Sequence, residues 1–360
     1  MQPLKIGVAY HGNRLIANAR HDLEDMVQHG MNLVVHMFSH NDWDRSSEVM
    51  RDIFAMTEYY GMEYWVDNWG LNGTPGDSSH YLSFHPDAHQ VYSNGELRYK
   101  NVCYNYPDFV EWTKQWIDTV YDLGGRKIFW DEPHLPVKDG YWGCTCPYCK
   151  KLFEERFNKP MPVIADADAY AFQEWTISNY MDIVTTYAAS KGMQNAVCIM
   201  PGKGRKIGIS LDNIDAVGKL ANMNDIGTDP YWVRSDPALS PHGADVYKYV
   251  YESTRKDLKV CEQYHKDHNI WIQSYACHAG DEEDVVTATD AAYDAGARTI
   301  IYWGYRGSEG NNYRAKKPDM IWQKVGEAAM RVRNRDRDLL RAQYRAELGI
   351  EAIKEKLGLK

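Results

Sequence analysis

The chain has 360 residues, 44% of them apolar, and a formal charge of −9 at neutral pH. That is enough apolar material for a large core, and the negative balance excludes the basic footprint of a nucleic-acid-binding protein. No stretch reaches the roughly 18 apolar residues of a membrane span, and the opening MQPLKIGVAYHG enters a strand without a basic, apolar leader, so a cytoplasmic protein with no membrane partner is expected.

Taken in chain order, short apolar runs predict strands at Lys5–Tyr10, Asn32–Phe38, Tyr64–Asn68, Lys127–Asp131, Ala196–Met200, Asp225–Asp229, Ile270–Tyr275 and Thr299–Trp303. Helical patterns fall between them at Trp43–Tyr60, Pro107–Leu123, Ala167–Ser190, Leu211–Ala221, Asp245–His268 and Glu282–Ala295. Strands that alternate with helices make a parallel sheet, and eight repeats close it, so residues 1–334 are expected to form a single (β/α)8 TIM barrel. An open doubly wound sheet is the alternative, but AYHGNR lacks the G-x-G-x-x-G turn that such a sheet would place after its first strand. Long βα loops follow the third strand (Leu71–Asn105) and the fourth (Pro133–Ala165), at the face where barrels carry their chemistry. Residues 335–360 read as a charged C-terminal helix that packs on the barrel or forms a homo-oligomer contact.

The ionisable groups expected at the C-terminal strand ends are few: His36, His40, Asp42, Asp67, Asp131, Glu132 and Asp229. The aromatic make-up is unusual, with 26 Tyr and 12 Trp against 8 Phe. Tyr and Trp offer a flat apolar face with a polar tip, which suits stacking on sugar rings; about half of them would simply pack in the core. Carboxylates interleaved with such aromatics, and no phosphate cradle, fit glycoside hydrolysis or transglycosylation, in which one carboxylic acid protonates the leaving oxygen and a second carboxylate is nucleophile or base. In Phe129-Trp130-Asp131-Glu132-Pro133-His134, neighbouring residues point opposite ways, so Asp131 and Glu132 should differ in role. The apolar neighbours suit Glu132 as the general acid/base. A salt bridge or helix cap is the alternative for any one strand-end acid.

Seven cysteines, an odd and clustered set, fit a reducing compartment better than a disulfide framework. Cys146-Pro147-Tyr148-Cys149 alone matches a glutaredoxin motif, but it lies mid-chain in a long loop. With Cys144 it becomes Cys-x-Cys-x-x-Cys, three thiolates suited to tetrahedral zinc, and Cys103 can supply the fourth.

This arrangement, a lone Cys before a helix, an acidic end to strand four, then Cys-x-Cys-x-x-Cys leading into a helix with Phe153, resembles glycoside hydrolase family 42, within the clan A-like TIM-barrel glycosidases. The resemblance runs from Val102 to Phe157. It implies Cys103, Cys144, Cys146 and Cys149 as ligands of a structural Zn2+, Glu132 as acid/base, and no organic cofactor. It does not extend to the nucleophile, a Glu ending strand seven in that family, where this chain reads Gln273-Ser274-Tyr275; nor to the Asn before the acid/base, here Asp131. Asp229 in Gly227-Thr228-Asp229-Pro230 is therefore the first candidate for the second carboxylate, and Asp131 the next.

Substrate contacts are expected from Tyr10, His36, Asp67, Trp69, His134, Tyr231, Trp232, Gln273, Tyr275, Trp303, Tyr305 and Arg306. The basic loop Pro201–Lys206 is not a Walker motif and reads as solvated, with a charged sugar as its alternative ligand. His11, His36, His40 and His134 match no standard metal-ligand spacing. Two other readings stand beside the glycosidase: a metal-dependent sugar isomerase or lyase using Asp67, Asp229 and the histidines, and a catalytically silent carbohydrate-binding barrel.

Overall fold

The computed structural model describes residues 2–73, 76–202, 208–233 and 245–357, so most of the Pro201–Lys206 loop lies outside the described residues. Eight parallel strands close on themselves: β1 (Lys5–Tyr10), β2 (Leu33–Met37), β3 (Glu63–Asp67), β4 (Lys127–Trp130), β5 (Gln194–Ile199), β6 (Asp225–Thr228), β7 (Asp267–Gln273) and β8 (Thr299–Trp303). Each pairs with its neighbours in sequence, and β1 closes the ring by pairing with β8 from Lys5↔Thr299 to Val8↔Tyr302. The chain is an α/β TIM barrel, as its alternating pattern predicts.

Ten helices are described: α1 (Ile16–Gln28), α2 (His40–Arg45), α3 (Ser47–Tyr59), α4 (Pro107–Asp122), α5 (Pro147–Phe157), α6 (Ala167–Ser190), α7 (Asp215–Gly218), α8 (Val246–Tyr264), α9 (Asp284–Ala295) and α10 (Pro318–Leu357). Several differ from the sequence pattern, among them α7, which keeps only Asp215–Gly218 of the expected Leu211–Ala221. Helix α1 was not expected, because its buried stripe is only Ala19, Leu23 and Met26 in a polar segment. The expected helix Trp43–Tyr60 is two helices that meet at Ser46. Helix α10 is unbroken, so the expected boundary at 334/335 falls inside it. Its first half buries Ile321, Trp322, Val325 and Val332, and Asp336 bonds Arg298 at 2.6 Å, whereas Leu340, Tyr344, Leu348 and Ile350 are exposed. No described helix is long and apolar enough to cross a membrane.

Strand side chains alternate between the barrel interior and the helical layer. The interior starts with a polar floor: Lys127 Nζ meets Asp225 Oδ2 at 2.9 Å and lies 4.1 Å from the centre of the Trp65 ring. Asn269 donates to Asp225 Oδ1 at 2.6 Å and accepts from Trp271 Nε1 at 2.8 Å. Gly227 is required beside them, since a Cβ there would come within 2.0 Å of Asn269 Oδ1. Above the floor, Ala9, Leu33, Val35, Trp65, Phe129, Ala196, Trp271 and Ile301 fill the barrel, so the site can form only at its upper mouth.

The two long loops meet over that mouth. The first carries a hairpin (His89–Val91 with Leu97–Val102), and the second a short one (Val137–Lys138 with Tyr141–Trp142) before α5. Thr145 N–H donates to Val91 C=O at 2.8 Å, Ser93 N–H to Trp142 C=O at 2.7 Å, and Gln173 on α6 holds Gly143 C=O at 2.7 Å.

On α8, Asp257 is fully buried, and burial, with the charge of Asp225, raises its pKa well above the usual carboxyl range. A carboxyl raised by folding stabilises most below its unfolded pKa of about 3.9, and its contribution falls by up to about 1.4 kcal/mol per pH unit until the folded pKa is passed. Asp257→Asn removes that dependence. The melting temperature of the variant relative to wild type should therefore climb between pH 5 and pH 8, and a constant difference would refute this account of Asp257.

Candidate active site and four-cysteine cluster

At the mouth, β3, β4 and β6 end in carboxylates. Asp67 is fully buried, and burial raises its pKa well above the usual range. Asp131 takes a backbone bond from its own N–H to Asn68 Oδ1 at 3.0 Å, and burial together with the charges of Asp67 and Glu132 raises its carboxyl. Asp229 is buried, and its carboxyl lies within hydrogen-bonding reach of Glu132. Burial first, then the Glu132 charge and that bond, raise its pKa. Two carboxyls so close hold a proton between them, and that proton belongs to the pair rather than to either residue. Glu132 is only partly buried and holds a left-handed backbone, φ 38°. Such a conformation costs a non-glycine residue about 1–3 kcal/mol and persists where surrounding structure enforces it, often at functional sites.

Opposite the acids, the mouth is aromatic. Trp69 and Trp303 face each other with ring centres 5.0 Å apart, and His11 meets both edge-on at 5.1 and 5.2 Å. His11 itself remains exposed to solvent at the rim of this slot. Tyr231 meets Tyr275 at 5.2 Å, and its phenol is raised by burial and by the Asp229 charge. The thiol of Cys198, on the interior face of β5, is raised by burial and by Asp229, Glu132 and Asp131. Strand alternation was the signal that could have placed His11 and Cys198 here from sequence.

Several expected substrate contacts turn away from the mouth. Tyr10 and His36 sit on the outer face of the barrel: Tyr10 donates to Asp22 of α1 at 2.6 Å, and His36 Nε2 bonds Thr57 of α3 at 2.9 Å. Tyr305 reaches Asp25 at 2.8 Å and stacks edge-on with Trp322 of α10. Arg306 pairs with Glu309 and Asp319, also beside α10. Trp232 is buried in the cluster of the helical layer. Gln273 faces inward, but its amide is committed to Val233, accepting from the N–H at 2.8 Å and donating to the C=O at 3.1 Å. Each strand end or following loop thus places these six against a helix or backbone. Asp67, Trp69, Tyr231, Tyr275 and Trp303 remain around the mouth; His134 lies just behind it, with Nδ1 2.7 Å from Glu132 C=O.

The cysteines of the two loops come together. The Sγ atoms of Cys103, Cys144, Cys146 and Cys149 all lie within 4.8 Å of one another, all are buried, and none forms a disulfide. Cys103 Sγ is 3.4 Å from Cys149 Sγ and 3.5 Å from Cys146 Sγ. Four thiolates around a tetrahedral ion at about 2.3 Å would stand about 3.8 Å apart, so the set fits such an ion with little adjustment. Asn105 Nδ2 donates to Cys149 Sγ at 3.4 Å, a contact of the kind that orients a metal ligand. Among the described residues no other group of His, Cys, Asp or Glu meets the same spacing. In particular, His36 bonds Thr57, His40 faces His80, and no histidine joins Asp67 and Asp229 in a ligand set.

No protein-family model matches the chain, and no curated protein matches it in sequence. Among solved structures it is similar to the endo-1,4-β-mannanase of Rhizomucor miehei, with a TM-score of 0.61 and 12% identity over 92% of this chain and 95% of that one. It is also similar to the endo-β-1,4-mannanase of Thermotoga petrophila, with a TM-score of 0.58 and 10% identity over 92% of this chain and 77% of that one. At these identities the likeness establishes the fold.

The outward position of Tyr10 has a direct test. Tyr10→Phe should lower stability in denaturant unfolding by about 1 kcal/mol, the worth of one hydrogen bond, through loss of the bonds to Asp22 and Asn13. Saccharide affinity, read by titration calorimetry, should not change; a weakened ligand would return Tyr10 to the mouth.

Proposed function

We propose that this chain hydrolyses or transfers O-glycosidic bonds, with Glu132 as general acid/base and Asp229 as nucleophile. The observation that carries the reading is the Glu132–Asp229 pair, two neighbouring carboxyls at the ends of β4 and β6 beside an aromatic mouth, the charge of one raising the pKa of the other. One acid and one carboxylate are what glycoside cleavage requires, and a shared proton supplies both when a sugar parts the pair. Asp229 lies deeper and faces the anomeric carbon. Glu132, partly exposed, can reach both the leaving oxygen and an incoming water.

Separation sets the stereochemistry. Inverting pairs stand about 6.5–9.5 Å apart to admit a water between them, whereas retaining pairs stand about 5–5.5 Å apart. A pair in hydrogen-bonding contact belongs with the second class. Asp229 then attacks the anomeric carbon as Glu132 gives its proton to the leaving oxygen, forming a glycosyl ester. Glu132 next takes a proton from water, or from a sugar hydroxyl in transfer, and that oxygen displaces Asp229. Trp69, Trp303, Tyr231 and Tyr275 would stack on the sugar, while Asp67 and Asp131 flank the pair. The similarity of the barrel to two mannanases supports a saccharide substrate.

The cysteine cluster fits a structural role. We assign it Zn2+, on the all-thiolate donor set and the resemblance to glycoside hydrolase family 42. The ion would tie the two loops together, away from the reacting atoms. The isomerase or lyase reading lacks its ligand set, since no described histidine completes a site with Asp67 and Asp229.

Kinetics on aryl glycosides with azide test the roles. Glu132→Ala should keep activity on activated leaving groups and gain from azide, yielding a glycosyl azide of retained configuration, while losing at least about 100-fold on natural linkages. Asp229→Ala should lose turnover on both. An exchanged pattern would swap the roles, and wild-type binding without turnover across α- and β-linked panels would favour the silent binding barrel.

Metal analysis tests the ion. One zinc per chain should survive dialysis against mild chelator with turnover intact. Cys146→Ser should lose it and lower the melting temperature; loss of activity on mild chelation would favour a catalytic metal instead.

A further inference from the structure

Glu132 is held in its left-handed conformation, φ 38°, without glycine's freedom, so something outside the residue must fix it. The contact on its carbonyl comes from His134, whose Nδ1 lies 2.7 Å away. One group of the other long loop then grips His134: Arg98 Nη2 is 3.2 Å from His134 Nε2. Arg98 is itself anchored: its Nη1 donates to Gln90 Oε1 at 3.0 Å, and the buried Gln90 donates to Val102 C=O at 3.0 Å. Val102 adjoins Cys103, the one cysteine of the cluster that the first loop contributes.

The chemistry of these donors removes an ambiguity. A guanidinium only donates, so His134 Nε2 must be the acceptor and carry no proton. The ring proton is then on Nδ1, where it can donate to Glu132 C=O. We infer that Arg98 and His134 are positioning residues for Glu132: Arg98 holds His134 as the neutral Nδ1–H tautomer, and His134 holds the turn that aims the Glu132 carboxyl at Asp229. The catalytic half of this inference rests on the function proposed above; the tautomer does not.

Two measurements separate those halves. In uniformly ¹⁵N-labelled full-length protein at neutral pH, long-range ¹H–¹⁵N spectra, with His134→Gln to identify the resonance, should show His134 protonated at Nδ1 alone. A ring protonated at Nε2, or at both nitrogens, would overturn the inference whatever the enzyme does. Arg98→Met should release the tautomer to a mixture while Arg98→Lys, which still donates, keeps it.

In kinetics on whichever glycoside the wild type turns over, Arg98→Met and His134→Phe should lower kcat about 10- to 100-fold, with KM within about twofold, as loss of an orienting partner does. Arg98→Lys and His134→Asn should recover much of that loss. Unchanged kcat in a folded Arg98→Met protein would refute the positioning role. A wild type without turnover would sink the proposed function and the catalytic half, leaving the tautomer to stand or fall by its own spectrum.

Discussion

Burying a carboxylate is costly unless a cation, a hydrogen-bond donor or a proton compensates, and the upper barrel is organised around that constraint. Its floor shows the usual remedy: Asp225 has Lys127 at 2.9 Å and Asn269 at 2.6 Å. Its mouth does not. Asp67, Asp131 and Asp229 are all raised by burial, and among the described residues no lysine or arginine forms an ion pair with them or with Glu132. A structural network would take the first solution throughout. Leaving acids without cations raises their pKa values instead, which lets a carboxylic acid and a carboxylate stand side by side. The two ends of one barrel thus separate stability from reactivity by the same electrostatic rule applied with opposite partners.

Closure of the strands brings both kinds of group to one rim. The acids come from β3, β4 and β6, and the aromatic side chains from β8 and the segments after β1, β3, β6 and β7. The packed middle layer beneath, from Ala9 to Ile301, denies any deeper entry.

Much of this was legible in the sequence, and what was not has definable causes. Eight apolar runs separated by helical patterns carry the barrel, and Lys5–Tyr10 and Thr299–Trp303 match to the residue. Asp131, Glu132 and Asp229 could be read as strand-end acids, and the spacing of three cysteines pointed to the fourth. Facing could not be read as well. Tyr10 and His36 end strands just as Asp67 does, but strand parity assigns a side only once the register against the neighbouring strands is known. Tyr305, Arg306 and Trp232 lie past the last paired residue, where alternation no longer applies and α10 or the helical layer captures the side chain. Gln273 points inward as parity requires, and only the contact with Val233 shows that its amide is spent. The thin stripe of α1, three buried residues among ten others, is too weak a periodic signal to separate from a loop.

The least legible feature is the one that joins the two long loops to the acids. One loop contributes a short hairpin, and the other two-residue strands followed by α5. Loops of that kind are ordinarily the mobile part of a barrel, yet Glu132 needs an enforced backbone at the base of one of them. Cross-loop hydrogen bonds from Thr145 and Ser93, and a cysteine cluster that takes one sulfur from the first loop and three from the second, convert two weak segments into one rigid body. Rigidity there reaches Glu132 from behind, through backbone and imidazole, and leaves its carboxyl free on the cleft side. Under the function proposed for Glu132, an element distant from its carboxyl sets that group's geometry through the contact of His134 with its carbonyl.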